Sequence, residues 1–212
     1  MHFNEPKSAA AVRRWVEKHT RSSDRFAYVA DQYEPHRKEH GCYDVYPFGN
    51  GPLLGALAAT AKPKRLLEVG CGLGYSGLWL GYGAGPGADV ETIEASKEHA
   101  EIARDHFKAE GLEKRIEVLV GEATNVFHAL KGRRYDLIYF DINPSESLAV
   151  LDQSERLLRK GGLLISANLF LGQFAPDLPG LEKTAEYRLR ILDATRWLTA
   201  YTADGTSISV RV

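Results

Sequence analysis

The chain has 212 residues, enough for one domain with a sizeable core, and 44% are hydrophobic against 26% charged, an ordinary balance for a globular protein. A formal net charge of -1 offers no global basic field for nucleic acid. Cys42 and Cys71 have neither metal-ligand spacing nor a disulfide framework. The polar opening "MHFNEPKSAAAVRRWVEKHT" lacks a signal-peptide core, and no apolar run is long enough to span a bilayer. These features lead to the expectation of a reduced, cytoplasmic protein with no membrane partner.

Residues 1–61 read as N-terminal helices and a cap on the acceptor side, and residues 62–212 as the ligand-binding core of the same single domain. "SAAAVRRWVEKH" and "SSDRFAYVADQYEPHRKEH" carry helical apolar spacing, with Ser22 or Ser23 as the N-cap between them. After the aromatic connector "HGCYDVYPFGNG" comes a short helix, "PLLGALAATA", with Pro52 in its first turn. From Lys64 strands and helices alternate: "RLLEV", "GYSGLWLGYG", "DVETIEA", "SKEHAEIARDHFKAEG", "RIEVLVG", "EATNVFHALKG", "YDLIYFD", "ESLAVLDQSERLLRKG" and "GLLISANL". This alternation predicts an α/β fold, a doubly wound and mostly parallel sheet covered on both faces. Gly111 and Gly161 fall where helix C-caps belong. The tail "RWLTAYTADGTSISVRV" reads as a hairpin around Asp204-Gly205, which adds antiparallel pairing at the end of the sheet.

The stretch "LLEVGCGLGYSG" carries most of the functional information. A strand runs into Gly70-x-Gly72-x-Gly74 and a helix follows, so a ligand can approach the backbone beyond the carboxyl end of the first strand. Two readings compete. Gly72-x-Gly74-x-x-Gly77 matches the dinucleotide fingerprint of a nicotinamide-dependent oxidoreductase, although its first glycine sits late relative to the strand. Counting Glu68 in gives acidic-x-Gly-x-Gly-x-Gly, and a carboxylate beside the loop would repel a pyrophosphate but suit the amino group and sulfonium of S-adenosylmethionine. Glu94, ending the second strand, has the offset at which a carboxylate binds ribose hydroxyls. Gly121 and Ala123, after the third strand, are small enough to wall an adenine. Glu122 between them is explained almost as well by a plain helix N-terminus. Asp141 closes the apolar strand "YDLIYF", and a turn cap, metal ligand, proton acceptor and cofactor contact are all open to it.

In their order, "LLEVGCGLGYSGLWL", "TIEASKEHAEIA", "GEA", "YDLIYFD", "RLLRKGGLLISANLFLGQ" and "DGTSISVRV" resemble the class I S-adenosylmethionine-dependent methyltransferases. Within that class they are similar to the small O-methyltransferases of the catechol and caffeoyl-CoA type, bacterial O-methyltransferase family 3. The resemblance runs from about Asp44 to the C-terminus. It implies a Rossmann-like seven-stranded sheet with an antiparallel last strand, methyl transfer to a small, phenolic hydroxyl acceptor, and a homodimer. It implies that Glu68, Gly70, Gly72 and Gly74 line the methionine, that Tyr75 and Ser76 contact its carboxylate side, and that Glu94 binds the ribose. Gly121, Glu122 and Ala123 then lie by the adenine, and Asp141 lies between cofactor and acceptor.

The chain departs from this pattern at two positions. The resemblance implies three metal ligands, Asp141 and an Asp-Asn pair, but the pair here reads Ala167-Asn168. A lysine expected three residues after Asp141 is Pro144. Magnesium favours carboxylate-rich oxygen coordination, so the expectation is no tightly bound divalent metal, with Asp141 and Asn168 as the remaining catalytic candidates. Asp141 could act as base if burial raises its pKa, and His36 or His40 could serve instead. Tyr33, Tyr43, Tyr46 and Phe48 could wall the acceptor pocket. A methyltransferase acting on nitrogen or a carboxylate, or a catalytically inactive S-adenosylmethionine-binding protein, would also explain the losses.

Overall fold

The computed structural model describes residues 7–42, 45–173, 177 and 180–212. Tyr43 and Asp44 of the connector lie outside them. The core strands are β1 (Arg65–Val69), β2 (Asp89–Glu94), β3 (Ile116–Val120), β4 (Tyr135–Phe140), β5 (Leu158–Ser166), β6 (Trp197–Tyr201) and β7 (Ser207–Arg211). They form one seven-stranded sheet in the order β3-β2-β1-β4-β5-β7-β6. Pairing is parallel from β3 through β5, and β7 runs antiparallel to both β5 and β6. The antiparallel last strand is therefore inserted next to β5, and β6 closes the edge. Gly205, at φ +85°, makes the turn that the sequence placed there.

Strand residues alternate between the faces, and each face carries its own core. Leu66, Leu137, Tyr139 and Ile165 pack under α4 (Gly51–Ala61), α5 (Tyr75–Ala84) and α6 (Lys97–Ala109). Leu67, Val69, Ile138, Phe140 and Leu164 pack under α7 (Ala123–Ala129), α8 (Pro144–Leu157) and α9 (Leu181–Ile191). The order reverses between β1 and β4, which depart to opposite sides, and the carboxyl ends at such a switch point are where open α/β sheets take ligands.

Three expectations need correction. The second N-terminal helix is broken into α2 (Ala27–Ala30) and α3 (Tyr33–His40), after α1 (Ala9–Ser22). Ser23 ends α1 rather than starting its successor, and Asp24 Oδ1 instead accepts from the Phe26 N–H at 2.9 Å. The helix predicted to reach Gly161 stops at Leu157, because the backbone of 158–160 joins the sheet. Gly161, at φ +75°, sits in an irregularity within β5, where the register jumps from Tyr135↔Leu158 to Leu137↔Leu163. Helix α9 has no counterpart in the sequence reading. Its buried contribution is Thr184, Tyr187 and Ile191, too short a stripe to stand out as a period.

Candidate functional site

Gly70 N–H and Cys71 N–H both donate to the Ile93 carbonyl, so the chain leaves β1 and turns tightly over the end of β2. Gly70, at φ +95°, lies against the main chain of Asp141, and a Cβ there would sit 2.9 Å from Ile142 Cγ2 and overlap the Asp141 carbonyl. The loop ends at Gly74, the residue before α5. Glycine is required here for close approach of two strand ends as well as for ligand access.

Glu94 is the loop's main acidic partner. Its Oε2 accepts from the Gly72 N–H at 2.7 Å and its Oε1 from the Ser96 N–H at 2.9 Å. A carboxylate has about four acceptor sites. Two fixed backbone donors leave capacity for a pair of hydroxyls. Gly121 follows β3 and its N–H donates to the Glu94 carbonyl at 2.9 Å, while Glu122 precedes α7 and Ala123 is buried. The positions expected at an adenine thus adjoin the one expected at a ribose.

Glu68 is placed differently from the sequence-based picture. Strand alternation turns it beneath the loop, where it is fully buried. Its Oε2 accepts from Thr92 Oγ1 at 2.6 Å, and Ser76 hydrogen-bonds the same carboxyl group. Oε1 is buried without a partner. Burial pushes its pKa up to about 8, against the lowering pull of Ser76 and Thr92, with Asp141 and Glu94 adding to the rise. Glu68 is therefore mostly neutral at pH 7, and the argument that its charge repels a pyrophosphate does not describe this structure.

Tyr75 and Ser76 are buried in the first turn of α5. The Tyr75 hydroxyl donates to Asp24 Oδ2 at 2.5 Å, and Trp79 Nε1 donates to Asp24 Oδ1 at 3.1 Å, so the Tyr75 side chain serves the N-terminal segment. Tyr33, read from sequence as a pocket wall, lies under the loop instead. Its hydroxyl accepts from the backbone N–H groups of Leu73, at 3.0 Å, and Tyr75. His106, which the sequence reading did not single out, bonds the Leu73 carbonyl through Nδ1 at 2.7 Å. A histidine in the last turn of an amphipathic helix offered no signal of that contact.

Asp141 and Asn168 come together across adjacent strand ends. Asn168, at φ +65°, is in the left-handed region that asparagine tolerates, and its Nδ2 donates to Asp141 Oδ1 at 2.6 Å. The Tyr139 hydroxyl donates to Asp141 Oδ2 at 3.0 Å. Burial raises the Asp141 pKa to about 6, while both hydrogen bonds hold it down. Phe48 meets the Tyr139 ring edge-on at 5.8 Å, and Val45 packs over Gly72, so the connector covers this end of the sheet. Tyr46 is exposed beneath the Arg37 guanidinium, 4.0 Å from its ring centroid. His36 and His40 gather with His99 and Glu98 on the Glu94 side, away from the Asp141–Asn168 pair.

The donor set around Asp141 does not suit magnesium. It holds one carboxylate and one amide, with buried Ala167 where a second carboxylate was expected, so it is short of charge for that ion. A cavity of about 830 Å³ lies elsewhere, toward the amino ends of β2 and β3, lined by Arg65, Glu91, Arg115 and Arg133 among others. Within it Glu91 is ion-paired with both Arg65 and Arg133, and it lies at the opposite end of the strands from the glycine loop.

A sequence model of a family described as O-methyltransferase matches residues 21–196. A catechol O-methyltransferase from Mycobacterium tuberculosis is 35% identical over 122 residues, 58% of this chain. That match spans 56% of the relative, little more than half its length. Among solved structures, an O-methyltransferase from Bacillus cereus in complex with S-adenosylhomocysteine superposes with TM-score 0.75 at 24% identity, covering 95% of this chain and 97% of the other. An O-methyltransferase of tomaymycin synthesis from Streptomyces achromogenes, in complex with S-adenosylmethionine, gives 0.78 at 22% identity, covering 94% and 98%. At these identities the structural likeness establishes the fold.

Proposed function

The chain belongs to the O-methyltransferase family, and from that we propose that it transfers a methyl group from S-adenosylmethionine to a hydroxyl oxygen of a small, phenolic acceptor. The observation that carries the proposal is the contact of Gly70 with Asp141 while Gly72 is bonded to Glu94. One loop thereby joins a diol-binding carboxylate to a carboxylate able to take a proton. S-adenosylmethionine supplies the electrophilic methyl group. Glu94 accepts from the ribose hydroxyls, the small residues Gly121 and Ala123 leave room for the adenine beside Glu122, and the loop N–H groups with Tyr75 and Ser76 frame the methionine end. Glu68 acts from beneath, and its unpartnered Oε1 suits an arriving ammonium group.

The nucleophile is an acceptor oxygen with a free lone pair. As it bonds to the methyl carbon, the carbon–sulfur bond breaks and its electrons stay on sulfur, leaving S-adenosylhomocysteine. The hydroxyl proton goes to Asp141. A phenol with pKa near 10 needs such help at neutral pH, and a carboxylate held at about 6 is ionised at pH 7 yet basic enough to act. Tyr139 and Asn168 fix its orientation. No step is assigned to a metal, and Pro144, where a lysine was expected, leaves Asp141 as the group proposed to receive the proton.

Ala167 and Pro144 also fit a second reading, a protein that binds S-adenosylmethionine without catalysis. Calorimetric titration with S-adenosylmethionine and S-adenosylhomocysteine, followed by an acceptor screen with labelled cofactor, separates the readings. Binding with labelled phenol ethers supports the proposal; labelled amines or esters move it to another acceptor atom; binding without transfer selects the second reading; no binding refutes both. The homodimer remains part of the proposal. The apolar side of α1, with Val12, Trp15 and Val16 exposed, is where a second copy would pack, and sedimentation analysis checks it. Among the described residues no helix is long and apolar enough to cross a membrane.

A further inference from the structure

Gly41, at φ +66°, ends α3 and turns the chain so that Cys42 comes back toward His36. His99, in the first turn of α6, completes the group: ligand atoms of His36, Cys42 and His99 all lie within 4.8 Å of one another. His36 stacks on His40 with centroids 4.5 Å apart and meets the His99 ring edge-on at 5.0 Å. His36 is only 8% exposed, and its Nε2 is buried with no hydrogen-bond partner. A buried imidazole nitrogen without a partner, facing other ligand-bearing side chains, calls for an explanation.

We propose that His36, Cys42 and His99 form a binding site for a divalent transition metal of the zinc class, with water in the fourth position. Imidazole and thiolate are both ordinary zinc ligands, open zinc sites carry three protein ligands and a water, and bond lengths of 2.0–2.3 Å put tetrahedral ligand atoms roughly 3.3–3.8 Å apart. Closing from within 4.8 Å takes side-chain rotation of an ångström or so. Binding displaces the Cys42 thiol proton to solvent and leaves a thiolate on the ion. Outside the ligands, His99 Nδ1 lies 3.7 Å from Glu94 Oε1, and His40 Nδ1 lies 2.9 Å from Glu98 Oε1. Glu94 is thus near the ring nitrogen of His99 that faces away from the ion, while Glu98 holds His40, which stacks on His36. The ion would tie the end of α3 to the start of α6 and so fasten the N-terminal cap beside Glu94. It is separate from Asp141 and Asn168 and takes no part in methyl transfer.

The test uses untagged full-length protein stripped with EDTA and titrated with cobalt chloride. The expected result is one equivalent bound, with a thiolate-to-cobalt charge-transfer band and intense ligand-field bands of tetrahedral geometry, both removed by zinc chloride. Cys42→Ser should abolish the charge-transfer band, His36→Gln should weaken binding at least tenfold, and Cys71→Ser should change neither. Zinc should raise the Tm of the wild type but not of Cys42→Ser. Absence of stoichiometric binding to the wild type, or a charge-transfer band that survives Cys42→Ser, overturns the proposal. Circular dichroism of each variant shows whether it is folded, and the wild-type titration decides the question even if a variant is not.

Discussion

Glu68→Gln separates the structural from the ligand-binding role of the buried carboxyl. Its pKa rises from 4.5 to about 8 on folding. A raised carboxyl pKa means the folded state holds more protons than the unfolded state between these values, so stability falls as pH rises through that window. At 1.36 kcal/mol per unit, Glu68 costs the fold roughly 1 kcal/mol at pH 5 and roughly 4 kcal/mol at pH 8. Glutamine keeps an acceptor for Thr92 and never ionises, but its amide NH2 takes the place of the unpartnered Oε1. That buried donor costs about 1–3 kcal/mol at every pH. The variant should be near neutral or slightly destabilised at pH 5 and more stable than the wild type at pH 8. The variant-minus-wild-type difference should grow by about 3 kcal/mol over that range. Urea denaturation of both proteins from pH 5 to 8 measures it, and the Asp141 contribution cancels because both carry it. Parallel stability–pH curves would refute the reasoning. If Glu68 also faces the methionine ammonium, the same variant should bind S-adenosylmethionine at least tenfold more weakly.

Other substitutions probe the rest of the site. Asp141→Asn should lower kcat by about 10²–10⁴-fold with little change in cofactor affinity. Because the base works ionised, wild-type kcat should rise with pH through about 6, and the variant should lose that limb. Glu94→Ala removes the acceptor of the Gly72 and Ser96 N–H groups, and calorimetry should show S-adenosylmethionine affinity reduced at least tenfold, since bonds to a charged group contribute about 1.5–3 kcal/mol each. Gly70→Ala forces a Cβ into the Asp141 main chain at a positive φ, and thermal denaturation should show a loss of several degrees or failure to fold. Magnesium chloride added to EDTA-treated protein should leave the methylation rate unchanged, since the Asp141 donor set is poor for that ion.

The parts of the fold that sequence predicted well are those fixed by neighbours in the chain. β1 was bounded by its apolar run, α6 by Ser96, whose hydroxyl accepts from His99 N–H, and the last hairpin by Asp204-Gly205. The placement of the loop after β1 and of Glu94 at the end of β2 was legible for the same reason, since strand, turn and helix follow one another. What was not legible depends on elements brought together from afar. The protonation of Glu68 depends on α5 and α6 closing over β1. The pairing of Asp141 with Asn168 depends on β4 lying beside β5. Helix α8 ended early because Leu158 found a partner in Tyr135 of β4, against a sequence that reads as helix up to Gly161. His36, Cys42 and His99 carry no local spacing signature, so two of them read only as candidate bases or as an isolated thiol.

Asp24 receives both Tyr75 and Trp79 of α5, while Tyr33 receives the N–H groups of Leu73 in the glycine loop and of Tyr75 at the start of α5. These bonds make the N-terminal segment and the half of the sheet that carries the glycine loop poor candidates for exchange as modules. A chimera that takes residues 1–61 from a relative inherits whatever that relative offers at positions 24 and 33, and must match it to the first turn of α5. Recombination in this chain is therefore better attempted at the far edge of the sheet, where the β6–β7 hairpin meets its neighbours and touches neither the loop nor its supports.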